Sequence, residues 1–138
     1  MKLTYDQFDA AVYIFEKNNG NFKTAYEEKI IFESGLSELH PKELEKIIIE
    51  GLNSNFYKGT KIRTSAYWAL SKRSNSELIP NFTKWMRMEF EKRNTGALFQ
   101  LMIALDNLEE PIFHTDRNSY SIDEIELNIR DADKYLNQ

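Results

Sequence analysis

Pro41-Lys42-Glu43-Leu44-Glu45-Lys46-Ile47-Ile48-Ile49-Glu50-Gly51-Leu52 decides the fold class. Leu44, Ile47, Ile48, Gly51 and Leu52 fall at i, i+3, i+4, i+7 and i+8. That spacing lines one face of a 3.6-residue helix with carbon and leaves Glu and Lys on the other. Pro41 suits the first turn, where its missing N–H costs nothing.

The same period runs outward in both directions. Towards the N-terminus, Thr4-Tyr5-Asp6-Gln7 is a capping box opening a helix with the stripe Tyr5, Phe8, Ala11, Val12, Phe15, which Asn18-Asn19-Gly20 stops. A second helix is expected from about Phe22 to Ser34, with Phe22, Ala25, Tyr26 and Ile30 on its apolar face and Gly35 ending it. Towards the C-terminus, residues 53 to 59 read as a loop. A fourth helix covers Thr60 to Lys72, turning inward Ile62, Ala66, Ala69 and Leu70. Ser74-Asn75-Ser76 is a turn, and a fifth helix reaches about Arg93 with Leu78, Ile79, Phe82, Trp85, Met86 and Phe90 on its buried side. Thr95 is expected to cap a sixth helix, 96 to 108, whose centre is apolar nearly all round. Residues 110 to 120 have no period. Ser121-Ile122-Asp123-Glu124 reads as a second capping box, before a last helix striped with Ile122, Ile125, Ile129, Ala132 and Leu136. No stretch alternates as a strand does.

The expectation is therefore an all-α fold of about seven antiparallel helices in one domain, 1–138. Pro41 and Pro80 occupy similar places in two helix–turn–helix units and lie 39 residues apart, close to the ~40-residue period of HEAT repeats. A short HEAT-like superhelix is the leading arrangement, with a globular bundle second.

Composition narrows the functional classes. Hydrophobic residues at 41% and charged residues at 29% describe a folded chain. With no cysteine there is no disulfide framework, thiolate metal site or cysteine nucleophile. Met1 to Asp6 lacks the basic and apolar regions of a secretory leader, and no apolar run approaches the ~20 residues of a membrane span, so a cytoplasmic protein is expected.

Catalysis finds no foothold in the pattern. His40 and His114 are 74 residues apart, outside any metal-ligand spacing, and read as surface or capping residues. There is no GxGxxG and no GxxxxGK[ST]. Adjacent carboxylates such as Glu27-Glu28 and Glu109-Glu110 point about 100° apart on a helix and read as solvated faces. A non-enzyme without cofactor, metal or small-molecule substrate is expected.

Charge is segregated along the chain. Residues 1–50 carry 6 Lys/Arg against 10 Asp/Glu, residues 51–100 carry 9 against 3, and residues 101–138 carry 3 against 9. The basic middle (Lys58, Lys61, Arg63, Lys72, Arg73, Lys84, Arg87, Lys92, Arg93), with Tyr57, Tyr67, Trp68 and Trp85 to stack on bases, raises nucleic-acid binding. The sequence pI near 5.3 and the acidic flanks stand against it. Asp106, Glu109, Glu110 and Asp116 gather at the end of the sixth helix and in the following loop. Such a loop suits a basic protein partner, although solvated acid would look the same. Acid at a helix C-terminus opposes the macrodipole, a small cost that favours function.

Two stretches together point to a family. Ala66-Tyr67-Trp68-Ala69-Leu70-Ser71-Lys72-Arg73 with Leu78-Ile79-Pro80 has the layout of a HEAT-like repeat. The second stretch is Ala104-Leu105-Asp106-Asn107-Leu108-Glu109-Glu110-Pro111-Ile112-Phe113, then Asp116-Arg117, then Asn128-Ile129-Arg130-Asp131-Ala132-Asp133-Lys134-Tyr135-Leu136. It resembles a C-terminal pattern of the HEAT-like immunity proteins of polymorphic and contact-dependent growth inhibition toxin systems. The resemblance covers roughly residues 60–138; residues 1–59 match only in being helical. It implies a small cytoplasmic antidote that binds one cognate toxin domain and uses no cofactor; with the acidic C-terminal third, the expected toxin domain is nuclease-like and basic. On charge and placement, the expected partner-binding residues are Asp106, Glu109, Glu110, Asp116 and Arg117, with Arg117 alternatively pairing a carboxylate to hold the loop. A generic helical adaptor is the second reading and a nucleic-acid binder the third.

Overall fold

A computed structural model describes all residues, 1–138. It contains seven α-helices: α1 (Tyr5–Asn18), α2 (Ala25–Glu33), α3 (Pro41–Asn53), α4 (Thr60–Ser71), α5 (Ile79–Glu91), α6 (Thr95–Asn107) and α7 (Ile125–Leu136). A single 3-10 turn, Ser76–Leu78, leads into α5, and there is no strand. The all-helical class expected from the apolar spacing is the class the chain adopts. The helices group into two compact units, Met1–Ser74 and Asn75–Gln138.

In the first unit α1 is the hub, packing against α2, α3 and α4. Its buried face is Phe8, Ala11, Val12 and Phe15, widened by Ala10 and Ile14. The expected box at its start is formed: the Thr4 hydroxyl accepts from the Gln7 amide and the Gln7 side chain accepts from the Thr4 amide. His40 caps α3 by accepting the Lys42 amide N–H on Nδ1 at 3.1 Å. Tyr57, which the loop reading left outside, is buried in this core, and its hydroxyl accepts the amide N–H of Leu3 at 2.9 Å. Gly51 makes room for it: a Cβ there would lie 2.8 Å from Tyr57 Cε2.

The expected start and apolar face of α2 need correction. The helix begins at Ala25, because Thr24 and Glu27 form a capping box that the Phe22-first reading overlooked. Among the residues of α2 only Ile31 is buried; Phe22 and Tyr26 point to solvent, 88% and 70% exposed. Their spacing matched a helical stripe, but α1 supplies a surface for one narrow edge of α2 only.

In the second unit α5 packs on α6 and α7, and α6 on α7. Phe82, Trp85 and Met86 of α5 and Leu98, Leu101, Met102 and Leu105 of α6 are buried in its core, as are Ile112, Ala132 and Leu136. Each such side chain contributes about 1.5–3 kcal/mol by leaving water. Two further helix starts differ from expectation. Thr95 is the first residue of α6 rather than its cap, and the preceding Asn94 turns its side chain to Glu89 instead. At the end of the chain, Ser121 Oγ accepts from the Asp123 amide in a local turn, and α7 starts a turn later, at Ile125.

Candidate partner-binding site

Residues 108–124 join α6 to α7 without regular structure, yet the segment is pinned at its middle. Arg117 lies across the faces of Phe113 and Tyr120, 5.3 and 5.5 Å from their centroids, and those two rings stack on each other at 3.9 Å. Its guanidinium donates to Asp131 Oδ2 at 3.0 Å and Glu124 Oε1 at 3.2 Å, with only 2% of the side chain exposed. Asp131, equally buried, also accepts from Arg130 and from the His114 amide. The pair ties the loop to α7. Of the two roles expected for Arg117, the structure builds the one that holds the loop. Arg117 Nε and Asn128 Oδ1 are buried without a hydrogen-bond partner.

Asp116 sits on the outside of this clasp. Arg130 grips it with two bonds of 2.9 Å, and His114 Nδ1 accepts its amide N–H at 3.0 Å. The bonds from Arg130 hold the Asp116 carboxyl down at about 2. Glu110 accepts the Tyr135 hydroxyl at 2.7 Å, and burial followed by this bond raises the phenol's pKa. Asp116 and Glu110 are thus fastened to α7 while part of each remains open to solvent.

Asp106 and Glu109 stand apart from these bonds, in the closing turn of α6. The turn is a Schellman motif: the Glu110 amide donates to Leu105 O at 3.1 Å and the Glu109 amide to Asp106 O at 2.9 Å. The motif requires its penultimate residue to be left-handed, and that residue is Glu109, at φ +65°. Glycine would occupy this place without steric cost. Glu109 is exposed, and its charge lies at the negative end of the α6 dipole. Asp106 is half-buried, and loss of water raises the pKa of its carboxyl. Burial thus disfavours the charge of Asp106, and Glu109 stands at the unfavourable end of the helix dipole.

The sequence-predicted residues thus fall into two sets: Asp106, Glu109 and Glu110 on the last turn of α6, and Asp116 with Arg117 in the clasp on α7. Sequence reasoning missed Glu124, Arg130 and Asp131, the partners that hold the loop. Their i, i+6 and i+7 spacing along α7 was a faint signal.

No group of three His, Asp or Glu side chains is placed to hold a metal ion, and no helix is long and apolar enough to cross a membrane. Of the aromatics that could have stacked on bases, Tyr57, Tyr67 and Trp85 are buried. Within the basic segment, Arg73 is spent on Glu45 at 2.8 Å and on the Phe15 ring. No family model, no curated protein and no solved structure matches the chain.

Proposed function

We propose that this chain is a non-catalytic binding protein that neutralises a basic protein partner, a bacterial toxin domain, as a cytoplasmic immunity protein. One observation carries the reading. The last turn of α6 keeps Glu109 left-handed, exposed and at the wrong end of the helix dipole, beside a partly desolvated Asp106. Groups maintained against folding stability are expected at functional surfaces, where a partner's charge would compensate them. The clasp around Arg117 supports the same reading, because a stiff loop loses little freedom when it binds. The second unit as a whole carries 12 Asp/Glu against 7 Lys/Arg, a field that would steer a basic partner. The resemblance of residues 60–138 to HEAT-like immunity proteins is what suggests a toxin domain as that partner.

The test separates binding from stability. Glu109→Gly should make the chain more stable and weaken its complex with the toxin domain. Binding would be followed by calorimetry against the toxin domain encoded beside this gene. If Asp106→Lys with Glu109→Lys leaves that affinity unchanged, the acidic turn is not the contact surface. A generic adaptor would instead bind a host protein from a housekeeping gene neighbourhood.

A further inference from the structure

The first unit carries a surface that folding does not explain. α2 has one buried residue, while Tyr26 is 70% and Phe32 78% exposed, and Phe22 just before the helix is 88% exposed. Phe32 stands on the other side of α2 with Ile14, Lys17 and Ile31, and Tyr26 is the exposed aromatic on the side that meets the groove. Between α2 and α1 runs a groove of about 430 Å³ lined by Asp6, Asp9, Tyr13, Tyr26, Ile30 and Glu33. Its walls are aromatic and aliphatic, its charge comes from three carboxylates, and no cation lines it. Lys29, on α2, reaches Glu33 at 3.8 Å and is well exposed, and Lys23, over the Tyr13 ring at 5.4 Å, is itself paired with Glu16 and Glu27. Asp6 lies in the first turn of α1, where the helix dipole suits it. Asp9 is past that turn and has no such reason.

We propose that this groove is a second docking surface, which takes a segment of the partner protein bearing Arg or Lys side chains between apolar ones. The inference rests on the protein-binding reading above. A guanidinium or ammonium entering the groove would meet Asp6, Asp9 and Glu33, its aliphatic stem would lie on Ile30 and Tyr13, and Tyr26 would offer its ring face. The apolar neighbours of that cation would lie against Ile30 and the Tyr26 ring. A second copy of the chain fits less well, because its own groove brings carboxylates and no cation to the contact.

The probe is a short acetylated peptide of alternating Arg and Leu, titrated into the isotope-labelled full chain and followed by amide NMR. Shifts are expected to concentrate between residues 6–13 and 26–34. Asp6→Asn with Asp9→Asn, or Tyr26→Ala alone, should weaken binding about five-fold or more; all three sites are exposed, so the fold is kept. Replacing Leu by Ser, or Arg by Glu, in the peptide should each abolish the localised shifts. Shifts spread over the whole surface or centred on residues 106–116 would overturn the proposal. So would equal binding of the Arg-Ser peptide, or a dimer that Tyr26→Ala dissolves. Charge reversal at Asp106 and Glu109 leaves the peptide binding intact if the groove is the site. Failure of the acidic turn and failure of the groove are therefore read separately.

Discussion

At the scale of single residues, the loop between α6 and α7 depends on one buried ion pair. Removing Arg117 strands Asp131, which is 2% exposed, with Arg130 as its remaining cationic neighbour. Arg117→Met is expected to lower stability by about 3 kcal/mol, since breaking a buried pair leaves a charge uncompensated; urea denaturation measures it. Asp116 makes a different prediction. Its carboxyl titrates near 2 in the folded chain against an ordinary 3.8, so folding favours the ionised form. That stabilising contribution is complete above 3.8 and disappears as pH falls from there towards 2. An NMR titration of the Asp116 carboxyl should therefore show it charged at pH 3, and Arg130→Gln should return it towards the ordinary value. Asp106 has the opposite sign. Its raised pKa means that the folded chain disfavours the charge, so Asp106→Asn should stabilise the protein at neutral pH.

At the scale of elements, the ends of the helices show which sequence signals are local and which are not. Thr4 with Gln7 is legible because both halves of the box lie within four residues and nothing competes for them. Ser121 with Glu124 fits the same pattern but has a different outcome: Ser121 Oγ accepts from the Asp123 amide, Arg117 takes an oxygen of Glu124, and Glu124 itself stands at the cap of α7. Only tertiary structure contains the Arg117 contact. The stripe on α2 misled for a related reason: periodicity reports that a face is apolar, not that something covers it. The carboxylates of the acidic turn were legible as a charge cluster, whereas the left-handed backbone under Glu109 was not, since its sequence offers no glycine. Arg93 occupies the same left-handed position after α5, with a charge that suits a helix C-terminus. Glu109→Gly is expected to raise stability by about 1 kcal/mol, and by more than Arg93→Gly does, because only the first substitution also removes a misplaced charge. Thermal denaturation of the two variants checks the order. Gly51→Ala should move the other way, by about 1–3 kcal/mol, as its Cβ would press on the buried Tyr57 ring.

Across the whole molecule, the apolar spacing accounts for the helices, and the distribution of charge bears on the proposed function. The second unit is acidic, and the first offers aromatic side chains beside a carboxylate-lined groove. Both surfaces call for a basic partner, so the complex should form quickly at low salt and more slowly as ionic strength rises, which stopped-flow mixing would follow. The most direct measurement is co-expression. The reading frame immediately upstream of this gene is induced in a bacterial host with and without this chain. The account predicts that the upstream product arrests growth alone, that this chain restores growth, and that the doubly reversed Asp106→Lys, Glu109→Lys chain restores it poorly. Growth arrest that this chain does not relieve, or an upstream product that is harmless, would contradict it.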